Sequence, residues 1–324
     1  MSKAIYCDCG LVCRGGSDEE LLREAERHLL EEHPGLAGKV RQRDLLAMAV
    51  EISPEPAAEI AGDADGPLVV RRSGGIATVI LNRPTRRNAL SLDLIGRLLQ
   101  ELVALGADPG VRAVILAGTG PAFCSGHDLG ELRGSDESAA QELFEADSAL
   151  MQGLHRIPQP VIARVHGPAS AGGCHLVAAC DLAIASPQAA FAVPGPALGL
   201  VGTTAMVEVA RVVGRRRAMQ MLLTGAPISA ETALSWGLVN AVVPAADLVA
   251  ASHAMAVLAS TGAPETAGVA KRALYDNLDL PLADAYDHAS ELTWRSVPGA
   301  EAQEGVSAFL DKRDPVWRVE REGA

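Results

Sequence analysis

The sequence reads FCSGHDL at residues 123–129 and ASAGGCH at residues 169–175, and these two stretches decide the fold. Each follows an apolar run that predicts a buried strand, at residues 113–116 and 161–165, and each precedes a helix. Glycine lets the backbone approach a ligand closely, and the first turn of a helix leaves N–H groups unpaired. Two such N–H groups that converge form an oxyanion hole, although either loop alone is better explained as a tight strand-to-helix turn.

The pattern around these loops predicts an α/β domain. Paired strands are expected at residues 68–70 and 77–81, and Ser91 is expected to cap the helix that follows. Another strand is expected at residues 181–185. Strands that alternate with helices indicate βα units with crossover connections.

Composition divides the chain into four parts. Residues 1–35 contain three of the six cysteines, and residues 36–66 combine a short helical stretch with the Pro-, Gly- and acid-rich composition of a linker. Residues 67–260 carry the alternation of strands and helices and are expected to form the core. Residues 261–324 lose the strand pattern and are expected to be helical.

The charge distribution argues against a nucleic-acid partner. The net charge is −12, and residues 1–65 hold seven Lys and Arg against fourteen Asp and Glu, or −7, which leaves −5 for the rest. Binding a phosphate backbone needs a cationic face instead. No apolar run approaches the length of a membrane span, and the N-terminus has charges and cysteines where a signal peptide is apolar. We therefore expect a cytoplasmic protein that binds neither nucleic acid nor membrane, with reduced or metal-bound cysteines.

Ordered motifs along the main domain resemble the signature of the enoyl-CoA hydratase/isomerase (crotonase) family. Besides the two loops, they read NRP at 82–84, RNAL at 87–90, CD at 180–181, TGAPISA at 224–230 and EGVSAFLDKR at 304–313. The resemblance covers nearly all of residues 67–318, in order and at family spacing. The histidine in SGHD, with residues 191–195 and 312–317, is similar to the hydratase-domain-containing subgroup of that family.

The resemblance implies a crotonase-type spiral of ββα units with a helical C-terminal region used in trimerisation, and a homotrimer or a dimer of trimers. It implies acyl-coenzyme A as the ligand, and an oxyanion hole made by the backbone N–H groups of His127 and Gly172. The residues implied to line the coenzyme A site are Arg87, Ala89, Leu90, Ser125, Gly126 and Asp128. Arg87 is a candidate phosphate partner, and a solvated surface arginine is the alternative.

The sequence departs from the family at two catalytic positions. Members that add water hold two glutamates there, whereas this chain holds His175 and Gly195. Hydration needs one group to accept a proton and one to donate it, and glycine does neither. His175 lies just inside a helix N-terminus, where the dipole favours neutral imidazole, so it is a candidate catalytic base. The alternative is a histidine that only fills space and hydrogen-bonds in a cleft.

Three functions stay open on these residues. The first is an enolate-forming, hydratase- or isomerase-like enzyme, and the second is a non-catalytic acyl-CoA sensor or scaffold. The third is an acyl-CoA decarboxylase, because His127 matches the decarboxylating members, but Gly202 replaces a tyrosine that those members use. Asp128 and Asp181 are expected to be structural caps of N–H groups.

The N-terminal cysteines and histidines have a spacing close to that of a ββα zinc site. The predicted ligands are Cys9, Cys13, His28 and His33, with Cys7 as a spare thiol or alternative ligand. Ser17 and Glu20 form a capping box at the start of the intervening helix. A unit this small gains stability from a metal, which supports a zinc-finger-like module. The alternative is reduced thiols on a helical hairpin.

Overall fold

Strands and helices alternate along most of the chain in a computed structural model, which describes residues 2–6, 12–47, 49–52 and 66–317. The strands are β1 (Ser2–Tyr6), β2 (Val12–Gly15), β3 (Val50–Ile52), β4 (Leu68–Ser73), β5 (Ile76–Leu81), β6 (Ala113–Gly118), β7 (Val161–Val165), β8 (Ala169–Ser170), β9 (Leu182–Ala185), β10 (Ala190–Ala192), β11 (Ile228–Ser229) and β12 (Ala241–Val242). The helices are α1 (Asp18–Glu32), α2 (Gln42–Ala47), α3 (Leu92–Gly106), α4 (Leu129–Leu132), α5 (Glu137–Arg156), α6 (Gly172–Ala179), α7 (Thr203–Val213), α8 (Arg215–Thr224), α9 (Ala230–Trp236), α10 (Leu248–Ala259), α11 (Pro264–Leu278), α12 (Leu282–Ser296) and α13 (Ala300–Asp311). Short 3-10 helices cover Pro84–Arg86, Gly195–Leu198 and Ala245–Asp247.

The main domain is organised by a six-stranded sheet in the order β12-β9-β7-β6-β5-β4. β4 and β5 pair antiparallel as the predicted hairpin, and the remaining pairs are parallel. Every residue of β5, β6 and β7 is buried, as expected of strands in a parallel sheet that is covered on both faces. The predicted cap of α3 is confirmed, because Ser91 Oγ accepts a hydrogen bond from the Leu94 N–H at 3.3 Å.

A second, three-stranded sheet in the order β11-β10-β8 brings the two glycine-bearing loops together. Its strand β8 begins the second loop, and Ala169 in β8 bridges to Cys124 in the first. Ser170 N–H donates to Cys124 O at 2.9 Å, and Ala171 N–H donates to Ala192 O at 2.8 Å. The loops therefore share one backbone hydrogen-bond network.

Helix α11 docks on the core through the partly buried carboxylate of Asp181. It accepts hydrogen bonds from Val161 N–H at 2.7 Å and Tyr275 Oη at 2.8 Å, and it pairs with Lys271 at 2.6 Å. Burial lowers the pKa of Lys271, although Asp181 opposes this effect. Asp181 thus ties α11 to the start of β7 and has the structural contacts of a cap.

The N-terminal unit is a three-stranded antiparallel sheet, in the order β2-β1-β3, covered by α1. Ser17 is confirmed as the N-cap, since its Oγ accepts from Glu20 N–H at 3.3 Å. The side chain of Glu20 accepts from Gly16 N–H at 2.8 Å, one residue before the partner that a capping box predicts. Helix α2 and strand β3, which follow the predicted boundary at residue 35, also pack with this unit. Strand β3 pairs with β1, and Leu45 in α2 is buried in one apolar cluster with Ile5 of β1 and Leu21 of α1. Residues 53–65, the rest of the predicted linker, lie outside the described residues.

The last three helices, α11 to α13, confirm that the C-terminal region is helical. Several large apolar side chains on α12 and α13 are exposed in the single chain: Leu282, Tyr286, Trp294, Phe309 and Leu310.

Of the helices in the described part of the chain, none is long and apolar enough to cross a membrane.

Candidate active site

His127 lies in the first loop with its backbone N–H directed away from the neighbouring strand-like segment. Leu90 pairs with His127 in a parallel bridge, in which Leu90 N–H donates to Gly126 O at 2.8 Å and Asp128 N–H donates to Leu90 O at 2.9 Å. Because successive peptide groups of an extended chain face opposite sides, the His127 N–H faces away from Leu90. In the described part of the chain, no backbone hydrogen bond uses it.

Gly172 is the first residue of α6, so the helix leaves its N–H unsatisfied. The preceding residue, Ala171, makes the sharp entry to the helix with a φ of 49°. Glycines allow the two loops to touch. A Cβ on Gly173 would lie 2.1 Å from Cys124 O, and a Cβ on Gly126 would lie 3.0 Å from Gly172 N. The two predicted N–H donors therefore belong to backbones in direct contact.

A buried carboxylate that the sequence analysis did not single out joins these loops. Asp147, on α5, is fully buried, and its Oδ1 lies 3.3 Å from Nε2 of His127 while its Oδ2 lies 3.4 Å from Nδ1 of His175. Neither contact has the alignment of a full hydrogen bond. Both are also longer than a charge-assisted hydrogen bond of roughly 2.7–2.9 Å. They are close polar contacts between one carboxylate and two imidazole rings.

The electrostatics of this cluster keep the carboxylate ionised. Burial alone would raise the pKa of Asp147, but the neighbouring imidazoles of His127 and His175 outweigh it and lower the pKa to about 2. Burial raises the pKa of the nearby Cys124 and Cys174 thiols to about 12, so both thiols are neutral. The Phe144 ring packs edge-on against His127, with ring centroids 4.9 Å apart.

The helical pattern of α5 holds the signal that would have revealed Asp147. Its buried apolar stripe includes Leu143, Leu150 and Leu154, and Asp147 occupies the same stripe. A carboxylate at a core position of an amphipathic helix needs a buried partner, since burying an unpaired charge is costly. The identity of the partner is not readable from that helix alone.

Asn88 holds in place residues 87–90, the segment expected to border coenzyme A. Asn88 is buried, and its amide donates to the carbonyls of Thr119, Ala122 and Phe123 at 2.9–3.0 Å. Arg87, whose backbone has a φ of 50°, is exposed. Because it is exposed, its guanidinium is accessible to a phosphate. The side chains of Ala89 and Leu90 are buried, which leaves only backbone there for a ligand.

The other residues expected at the coenzyme A site form part of the loop wall. Asp128 Oδ1 accepts from Gly130 N–H at 3.0 Å, and its Oδ2 lies 3.1 Å from Nη2 of Arg83. Ser125 N–H donates to Arg87 O at 3.0 Å, so the two segments of the predicted site adjoin. Gly126 has a φ of 88°, which favours glycine at that position.

Position 195, where the resemblance implies a glutamate, is closed by packing between two glycines. A Cβ on Gly195 would lie 2.9 Å from Gly202 Cα, and Gly202 itself has a φ of 67°. A side chain at position 195 therefore requires movement of the backbone near residue 202. The departures noted from the sequence at Gly195 and Gly202 are therefore parts of one close contact.

The predicted zinc site is not confirmed. Cys13 and His28 are buried, and the rings of His28 and His33 lie 5.0 Å apart in an edge-to-face arrangement. Cys9 and Cys7 lie outside the described residues. Within the residues that the structure describes, no group of three or more His, Cys, Asp or Glu side chains is arranged to hold a metal ion.

The chain belongs to the enoyl-CoA hydratase/isomerase family, whose family model matches residues 71–320. It is 38% identical over 260 residues to zebrafish enoyl-CoA hydratase domain-containing protein 3, mitochondrial, covering 80% of this chain and 90% of that protein. The crystal structure of an enoyl-CoA hydratase from Mycobacterium smegmatis is similar, with a TM-score of 0.76 and 40% identity over 78% of this chain and 99% of the other. The structure of human enoyl coenzyme A hydratase domain-containing protein 3 matches with a TM-score of 0.74 and 38% identity, covering 78% and 100%.

Proposed function

We propose that this protein is an enzyme that binds an acyl-coenzyme A thioester and stabilises its enolate with the backbone N–H groups of His127 and Gly172. One observation carries the proposal: the two loops touch, and each presents an N–H group that no backbone acceptor in the described chain uses. Hydrogen-bond donors fixed in advance around a developing oxyanion are a major source of rate enhancement. Membership of the enoyl-CoA hydratase/isomerase family supports the thioester as substrate.

His175 is the proposed base for the proton on the α-carbon of the thioester. Its Nδ1 faces Asp147, which leaves Nε2 for the substrate. When the C–H bond breaks, its electron pair forms the enolate, whose charge rests on the thioester oxygen in the hole, and the proton moves to Nε2. The proton then returns to the same carbon or to a conjugated one, so the chemistry is isomerase-like.

Addition of water to an enoyl thioester is not the proposed reaction. The packing of Gly195 against Gly202 leaves no room for the second carboxylate. A site without a positioned acid or base loses roughly 10²- to 10⁴-fold in rate. We therefore expect hydration of crotonyl-CoA to be absent or feeble.

A panel of acyl-CoA thioesters incubated with the full chain in deuterium oxide tests the proposal by mass spectrometry. Incorporation of deuterium at the α-carbon of a saturated thioester is expected. A thioester that binds without exchange would instead support the non-catalytic sensor or scaffold, which the replaced carboxylates also favour. Loss of carbon dioxide from an α-carboxyl thioester would support the decarboxylase, in which the same hole stabilises the same enolate.

Two further proposals concern the ligand and the assembly. The exposed guanidinium of Arg87 is suited to a coenzyme A phosphate, because it has no acidic partner in the ion pairs of the described chain.

We propose a homotrimer or a dimer of trimers, since the apolar side chains on α12 and α13 need a surface to bury against. Light scattering measures the assembly. The cytoplasmic location expected from the sequence stays a prediction.

A zinc ion in the N-terminal unit also stays a proposal. Its support is the ligand spacing, together with the buried positions of Cys13 and His28 and the adjacent ring of His33. The fourth predicted ligand, Cys9, lies outside the described residues.

A further inference from the structure

We infer that Asp147 is a positioning residue that fixes the tautomers of His127 and His175 together, and so links the proton-accepting histidine to the loop that carries the His127 N–H. The inference rests on the proposed function and deepens it, because it concerns how the same site is held and charged. No part of it requires a group from outside the described chain.

The geometry of the carboxylate carries the inference. An ionised carboxylate accepts hydrogens and cannot donate them, so each ring nitrogen that faces it is expected to carry the proton. His175 faces Oδ2 with Nδ1, which favours the tautomer with an unprotonated Nε2. His127 faces Oδ1 with Nε2, which favours the tautomer with an unprotonated Nδ1. The carboxylate of Asp147 therefore sets the tautomer of both histidine rings.

The surroundings make Asp147 the only negative charge at the two rings within the described residues. The groups that face the cluster are His127 and Cys124 from the first loop, His175 from α6, and Phe144 from α5. The Cys124 thiol is neutral and Phe144 is apolar. One carboxylate compensates one imidazolium, and a second imidazolium in this buried position would be uncompensated.

The charge of the cluster then follows the reaction. Before proton transfer it holds one carboxylate and two neutral imidazoles. When the substrate C–H bond breaks, the proton converts His175 to an imidazolium beside Asp147, and the enolate oxygen takes the negative charge at the hole. Reprotonation of carbon by Nε2 restores the first state, with no oxidant or co-reactant required.

Nitrogen-15 NMR of the histidine rings in the full chain tests the inference without depending on activity. Near neutral pH we expect a protonated Nδ1 in His175 and a protonated Nε2 in His127, assigned with His127→Gln and His175→Gln. A His175 ring protonated on Nε2 alone would overturn the inference, whatever any variant does.

Asp147→Asn is the matched variant, since it removes the charge and keeps the size of the side chain. We expect the NMR signals of both rings to change together, and α-proton exchange to fall roughly 10²- to 10⁴-fold, as for an incorrectly oriented base. The affinity for a non-reactive thioester analogue is expected to change little. Glu142→Gln, on the exposed face of the same helix, is the control and should leave the NMR signals and the rate of α-proton exchange unchanged.

Failure of the inference and failure of the proposed function give different results. If the parent protein exchanges the α-proton and Asp147→Asn alters neither exchange nor the ring signals, the inference is wrong and the function stands. If the parent does not exchange but both tautomers are as expected and change together in Asp147→Asn, the positioning role stands and the proposed function is wrong.

Discussion

The Oδ2 atom of Asp147 lies 3.4 Å from Nδ1 of His175, although the two residues belong to different helices, α5 and α6. The same carboxylate contacts His127 through its other oxygen. The two loops that carry the proposed N–H donors are therefore joined by a side-chain contact as well as by the backbone.

Replacing His175 by alanine is expected to abolish most proton transfer and to leave binding nearly intact. The backbone N–H groups of His127 and Gly172 remain, while the proposed base is removed, so α-proton exchange should fall roughly 10²- to 10⁴-fold. Deuterium exchange measures the rate, and calorimetry with a non-reactive thioester analogue measures affinity. If His175→Ala exchanges as fast as the parent, His175 is not the base.

Replacing Gly172 by proline is expected to remove one donor of the proposed hole. Proline has no N–H, and loss of one such donor costs about 3 kcal/mol of transition-state stabilisation. Exchange and thioester affinity should both fall, in contrast to His175→Ala.

Gly172→Ala is the matched control for the proline variant, because it keeps the N–H and adds only a methyl group. That methyl would lie 3.1 Å from Leu90 Cδ1, the flexible end of a side chain, so a small adjustment accommodates it. Equal losses in the alanine and proline variants would attribute the effect to bulk and would contradict the role of the N–H.

The stability of the fold is expected to depend on Asp147 at acid pH. Its pKa in the folded chain is about 2, below its ordinary value of 3.8, so the ionised carboxylate stabilises the fold above about pH 4 and this contribution is lost as the pH falls towards 2. The difference corresponds to about 2 kcal/mol. Denaturant unfolding should therefore show a steeper fall in the free energy of unfolding for the parent than for Asp147→Asn over that range. Parallel curves for the two proteins would refute the expectation, and Glu142→Gln should follow the parent.

Metal analysis of protein purified without chelator is expected to find one zinc per chain, bound by Cys9, Cys13, His28 and His33. A bound structural metal contributes its binding free energy to folding, so a chelator should lower the thermal stability of the N-terminal unit. Cys13→Ser should remove the zinc, whereas Cys180→Ser, in the main domain, should retain it. A parent protein without zinc would show that the module is stabilised by its apolar cluster alone.

Much of the local structure is predictable because its causes lie within a few residues. The hairpin of β4 and β5 follows from the alternation of residues along its strands. The helix caps at Ser91 and Ser17 follow from hydrogen bonds between near neighbours. The pairing of β3 with β1 was not predictable in the same way. It joins residues on either side of two helices, and a short strand in an acid-rich segment carries little pattern of its own.

Residue identity and order alone indicate the family and the two glycine-bearing loops, and they place His175 and Gly195 where the resemblance implies glutamates. These are properties of residue identity and order, which survive without coordinates. The position of Asp147 between two histidines and the packing of Gly195 on Gly202 became visible only in the folded chain. Both contacts depend on how separate elements pack, because a charge or a missing side chain acts on its neighbours in space and not on its neighbours along the chain.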